Sequence, residues 1–161
     1  MTLIVSDTSP LNLLIQLGCA DILPALFARV LIPPQVAGEM RHAKAPQVVQ
    51  SFIAAPPPWL EIKAPAGPVV LPSLDRGEAA AISLAIELGA VLMIDELDGR
   101  QVALAMGLEI VGAIGVLERA ANQGVLQDLS AVHAQIRALR FHISDAILQA
   151  SLTRHFAFAR K

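Results

Sequence analysis

Short apolar runs alternate with longer stretches of helical periodicity along this chain. Residues 3–5, 29–32, 90–94 and 109–111 are too short, and too rich in Val, Ile and Leu, to start helices, and they read as buried strands. Residues 59–63 have the pattern of a short edge strand. Between these runs the spacing predicts helices over 10–17, 20–28, 35–42, 45–55, 74–88, 98–106 and 114–123. Gly18, Gly89, Gly107 and Gly124 close four of them, Pro33-Pro34 opens the third and Pro56-Pro57-Pro58 stops the fourth. Residues 64–73, with Pro65, Gly67, Pro68 and Pro72, form a loop across the middle of the chain. The tail, 129–161, is helical in pattern, with one helix over 131–139 and another capped by Ser144 and running to about 153. Strands alternating with helices of this length imply a parallel sheet of four to five strands, covered on both faces in three α/β/α layers. The expected organisation is a core over 1–124, with a helical C-terminal extension over 125–161 packed on the same domain.

Composition sharpens this picture in three ways. The 161 residues suit one domain with a substantial core, yet 55% are apolar and only 16% charged. No apolar run reaches the ~18 residues of a membrane span, and there is no basic, cleavable leader pattern at the N-terminus. The excess apolar content therefore points to a large core plus an oligomer interface, most simply a homodimer. Cys19 is the lone cysteine, which excludes an intrachain disulfide framework and suits a cytoplasmic chain. A net charge of −2 gives no global basic field of the kind that drives non-specific nucleic-acid binding. That leaves room for an enzyme that meets nucleic acid through a few local cations and a bound metal.

The candidate chemistry lies in carboxylates delivered at strand ends. Asp7 follows the first strand, at the carboxyl edge where open α/β sheets place their ligands. Ser9 followed by Pro10 reads as N-cap and first helical residue, so Asp7 has no local structural job. Asp95 ends the strand at 90–94 in the same way, with Asp98 better placed to cap the next helix. Asp98 and Gln101 form a capping-box pattern, so Asp98 is either a cap or an alternate ligand. Asp75-x-x-Glu78 is also a capping-box pattern, yet a Glu in the first turn of that helix would face the cleft as well. Glu39 lies inside a helix, where its local pattern fits a solvated side chain. Converging carboxylates repel one another unless a cation neutralises them, and hard cations such as Mg²⁺ and Mn²⁺ want oxygen ligands.

Five blocks, read together, resemble the PIN-domain family, the nuclease fold of VapC-type toxins. They are Ile4-Val-Ser-Asp-Thr-Ser-Pro-Leu11, Val30-Leu-Ile-Pro-Pro-Gln-Val-Ala-Gly-Glu39, Asp75-Arg-Gly-Glu-Ala-Ala-Ala-Ile82, Leu92-Met-Ile-Asp-Glu-Leu-Asp-Gly-Arg100 and Gly107-Leu-Glu-Ile-Val-Gly-Ala-Ile-Gly-Val-Leu117. The blocks cover residues 3 to about 120, and the tail is similar to those of a poorly characterised branch of the fold. The resemblance implies a catalytic set of Asp7, Glu39, Glu78 and Asp95, with Mg²⁺ or Mn²⁺ held among Asp7, Glu78, Asp95 and Asp98. The third acid of active toxins is usually Asp, whereas this chain has Glu78. Either Asp95 or Asp98 fits the last ligand.

That resemblance implies an endoribonuclease that hydrolyses RNA phosphodiester bonds with metal assistance and leaves a 5′-phosphate. Thr8 and Ser9 sit beside Asp7, where they can orient the phosphate, although Ser9 also reads as the helix cap. Arg41, Lys44 and Arg100 are cations that either bind backbone phosphate at the cleft rim or complement helix ends. The partners implied are RNA, a cognate antitoxin protein and a second copy of the chain. The alternative is a catalytically silent domain of the same fold that acts by binding a partner. A phosphoaspartate phosphatase would need Asp-x-Asp-x-Thr, and the second Asp is missing after Asp7. A receiver domain would need paired acids and a late Lys, which are not evident.

Overall fold

The computed structural model describes residues 2–139, 141 and 143–160. They divide into two compact units, with the boundary between Ala113 and Ile114. The first unit runs β1 (Leu3–Ser6), α1 (Thr8–Gln16), α2 (Ile22–Leu26), β2 (Arg29–Ile32), α3 (Pro34–Arg41), α4 (Gln47–Ala54) and β3 (Leu60–Ile62). It continues through α5 (Arg76–Leu88), β4 (Val91–Met93), α6 (Leu97–Ala105) and β5 (Ile110–Val111). The second unit holds α7 (Ala113–Asn122), which starts at the boundary, α8 (Leu129–Ala138) and α9 (Asp145–Ala159). Among the described residues no helix is long and apolar enough to cross a membrane.

The strands form one five-stranded, all-parallel sheet in the order β3-β2-β1-β4-β5, flanked by helices. Val5 is in register with Leu31 on one side and Leu92 on the other. These three side chains share a face and pack against Ala81, Ile82, Leu84 and Ala85 of α5 and Ala103 of α6. Ile4 and Ser6, on the opposite face, are equally inaccessible. Burial on both faces is why the strands read as unbroken apolar runs rather than as alternating ones.

Three local expectations are corrected. The sequence makes Ser9 the cap of the first helix, but α1 begins at Thr8, with Asp7 at the cap position in extended conformation and no side-chain cap bond. The backbone N–H of Asp7 is held by the Met93 carbonyl at 2.9 Å, so the chain turns into the helix directly off the strand. Pro10 then falls at the third helical position, where its missing N–H would be unpaired anyway. Asp98 is not a cap either: α6 starts at Leu97, Glu96 holds the cap position, and Asp98 lies in the first turn. The last helix runs to Ala159, not to about 153, because residues 154–159 contain no Gly or Pro to stop it. Asp75 does cap α5, accepting the Glu78 N–H at 2.8 Å, and Ser144 caps α9, accepting the Ile147 N–H at 3.2 Å.

Leu92 sits in the middle of the sheet with no exposed surface, so Leu92→Ala is expected to cost about 2–5 kcal/mol in denaturant unfolding. Val70, 85% exposed, is the control, and Val70→Ala is expected to change stability by less than about 0.5 kcal/mol. In the second unit His133 is fully buried and neither ring nitrogen has a hydrogen-bond partner. Burial pushes its pKa down, Arg137 adds to this and Glu118 opposes it. The unfolded chain therefore takes up a proton that the folded chain resists, and the His133 contribution to stability falls as the pH drops below the ordinary histidine value of 6.5. His133→Leu is expected to flatten that part of the pH–stability curve.

Candidate active site

Strand order dictates where a site can form. From β1 the chain builds outward through β2 to β3, then returns to the other side of β1 with β4 and continues to β5. The carboxyl ends of β1 and β4 are therefore the point where the connections diverge, and crevices open at such points. Ser6 and Met93 pair in register there, and the next residues of each strand lead into α1 and α6.

A cleft at this point is lined by Asp7, Thr8, Ser9, Asn12, Glu39, Asp75, Glu78 and Glu96. Four elements contribute: the β1–α1 junction, α3, the first turn of α5 and the start of α6. Five of the eight lining residues are acids, and none is Lys or Arg. Asp7 is only 5% exposed and Glu78 only 8%. Burial raises the Asp7 pKa to about 7, with Asp75, Glu39 and Asp95 adding to the rise and the Thr8 backbone hydrogen bond opposing it. Burial likewise raises Glu78 to about 7, followed by repulsion from Asp75, Asp7 and Glu96 and a hydrogen bond with Asp75. The Thr8 hydroxyl donates to Glu39 Oε2. Asn12 Oδ1 is buried and accepts no hydrogen bond.

Of the residues singled out in the sequence, the structure brings Asp7, Thr8, Ser9, Glu39 and Glu78 together. Asp95 lies beside the cleft without lining it. Its Oδ1 accepts the Ala113 N–H at 3.1 Å, tying the end of β4 to the residues that follow β5 within the first unit. Burial raises its pKa, while that bond and the Arg100 charge pull the other way. Arg100 donates to the Ile94 carbonyl at 2.9 Å and is thereby committed to the same junction. Asp98, Arg41 and Lys44 are exposed and do not line the cleft. Asp75, Glu96 and Asn12 line it without having been singled out as site residues. Asp75 had been assigned only as a cap. Glu96 follows Asp95 directly, and the choice between the two depends on where β4 ends, which the apolar run 90–94 leaves open by a residue.

A parallel sheet flanked by helices, with an acidic cleft at its divergence point, defines the class: an α/β domain with a candidate site at the carboxyl ends of β1 and β4. The chain belongs to the PIN-domain family: the family model described as DUF3368, PIN domain, matches residues 3–156. A solved structure, a PilT N-terminus domain protein from the hyperthermophilic archaeon Sulfolobus solfataricus P2, superposes with a TM-score of 0.52. The match covers 80% of this chain and 96% of that one at 16% sequence identity, a likeness that shows the fold alone. None of the curated proteins matches the chain significantly.

The raised pKa values carry a stability consequence. In the unfolded chain Asp7 and Glu78 ionise near their ordinary values of 3.8 and 4.5, whereas in the fold they hold protons up to about 7. These two acids are therefore expected to contribute a loss of stability in the metal-free protein as pH rises from about 4 to about 7, opposite in sign to the His133 contribution. Asp7→Asn removes the more deeply buried charge. Its stability relative to wild type, followed by urea unfolding, is expected to rise over that window by on the order of a few kcal/mol.

Proposed function

We propose that this protein is a divalent-metal-dependent endoribonuclease, hydrolysing RNA phosphodiester bonds with Mg²⁺ or Mn²⁺. In this reading it serves as the toxin of a toxin–antitoxin pair or as a relative of one. The observation that carries the proposal is the cleft itself: five carboxylates from four elements, with no lining cation to offset them. Membership of a family built on a nuclease fold supports the same chemistry.

The donor set fits a hard cation, since every charged lining group offers oxygen. Among the described residues no three Asp, Glu, His or Cys side chains form a ready-made metal cage. Mg²⁺ does not require one, because it keeps several waters and is usually bound through one or two carboxylates together with substrate phosphates. Asp7 and Glu78, the most buried acids of the cleft, would hold it, with Asp75 and Glu96 at the rim. Bound there, the cation supplies a Lewis acid for the scissile phosphate and lowers the pKa of a water.

The chain's own residues supply the rest. Asp7 and Glu78 lose their protons around neutral pH, so the cleft becomes competent for a cation as they ionise. Thr8 fixes the Glu39 carboxylate, which divides the labour between neighbouring hydroxyls: Thr8 orients an acid, and exposed Ser9 is free to meet substrate. Asn12 Oδ1 offers an unused acceptor to a substrate hydroxyl or a water. Arg41 and Lys44, exposed at the end of α3, would contact phosphates farther along the RNA.

The test is cleavage of several RNAs with Mn²⁺ or Mg²⁺ by wild type and Asp7→Asn, with EDTA as the metal-free control. Metal-dependent cutting by wild type, reduced at least about 100-fold by Asp7→Asn, is the expected result. Absence of cutting on every RNA, together with no Mn²⁺ binding, would favour the binding-module reading instead.

A further inference from the structure

Nine glycines have their surroundings described, and at six of them an added Cβ would meet nothing within 4 Å. Of the other three, Gly77 and Gly112 are pressed against carboxylates and Gly99 against the Ile94 side chain. A Cβ on Gly112 would lie 2.5 Å from Asp95 Oδ1, and one on Gly99 would lie 3.6 Å from Glu78 Oε2 as well as 2.5 Å from the Ile94 side chain. Gly77 is the clearest case: its Cβ would fall 2.6 Å from Glu39 Oε1, 2.9 Å from Oε2 and 3.0 Å from Cδ.

Nothing in the backbone asks for glycine at position 77. It sits in the first turn of α5 and is not among the positive-φ glycines. Glycine is among the poorest residues for a helix, so alanine would suit the local structure better. What the missing side chain provides is space, and Glu39, which reaches over from α3, fills it. The same carboxylate accepts the Thr8 hydroxyl from α1, so three helices converge on one side chain. The α5 N-terminal turn also carries the positive end of that helix, which favours a carboxylate lying on it.

We propose that Gly77 is a positioning residue whose absent side chain seats the Glu39 carboxylate in the acidic cleft. The seat is a matter of steric fit. Its consequence for metal binding rests on the function proposed above.

The test uses the full chain, ¹³C-labelled, as wild type, Gly77→Ala and the double variant Gly77→Ala/Glu39→Asp. The side-chain carboxyl resonance of Glu39 is followed by NMR, and Mn²⁺ affinity by calorimetry. Gly77→Ala is expected to move the Glu39 resonance while those of Glu61 and Glu118 stay in place. It is also expected to weaken Mn²⁺ binding about 10-fold. The double variant, whose carboxylate is one methylene shorter and clears the new methyl group, is expected to recover most of that loss. An unmoved Glu39 resonance in folded Gly77→Ala overturns the proposal, whereas a moved resonance with Mn²⁺ affinity equal to that of a wild type that does bind supports the seat and overturns its consequence for the metal. If the resonance moves and wild type binds no Mn²⁺, the seat stands and the metal reading fails. Should Gly77→Ala not fold, recovery of folding in the double variant supports the seat, and a double variant that also stays unfolded overturns it.

Discussion

The burial of carboxylates at the junction of β1 and β4, sharpened by their mutual repulsion, is the constraint on which this structure turns. Asp7, Glu39, Asp75, Glu78 and Glu96 line one cleft with no cation among them. Water cannot screen this charge fully, because Asp7 and Glu78 are nearly inaccessible. The fold tolerates the crowding by leaving protons on those two acids up to about neutral pH. A cation in the cleft would relieve the same crowding by a different route, and under the proposed function proton and metal would compete for one charge deficit.

The scaffold holds the acids in place with backbone and with space more than with salt bridges. The Asp7 N–H is fixed by the Met93 carbonyl, and the first turn of α5 is fixed by the Asp75 cap on Glu78. Thr8 ties Glu39 across from α1, and Asp95 ties the end of β4 to Ala113. Three ion pairs lie away from the cleft: Arg29–Glu61 in the first unit, Arg137–Asp145 and Arg154–Glu118 in the second. Under the proposed function, this uncompensated site is one that a ligand bringing positive charge would neutralise.

Much of this was legible in the sequence, and the reasons differ by residue. The strands were readable because burial on both faces makes them short, unbroken apolar runs. Asp7 stood out because a strand, an acid and a helix entry follow one another within a few residues, even though the cap itself was misassigned. Glu39 could not be distinguished locally from any solvated helical Glu. Its partners, Thr8 and Gly77, come from α1 and α5, and only the fold brings them to it. The sequence offered Asp95 or Asp98 and passed over Glu96, because the outcome depended on where β4 stops and α6 starts. A boundary error of one or two residues there changes which side chain faces the cleft. The length of α9 was underread because the end of a helix without a glycine or proline stop leaves no mark in the pattern.

The most direct test of the account is Mn²⁺ calorimetry on the wild-type protein at pH 7 and pH 9, each in two buffers of different ionisation enthalpy. At pH 7 the binding heat is expected to differ between the buffers, because Mn²⁺ displaces protons held by Asp7 and Glu78. At pH 9, where both are already ionised, the heats are expected to agree. Mn²⁺ binding without proton release at pH 7, or no binding at either pH, would contradict the claim that proton and metal share this cleft.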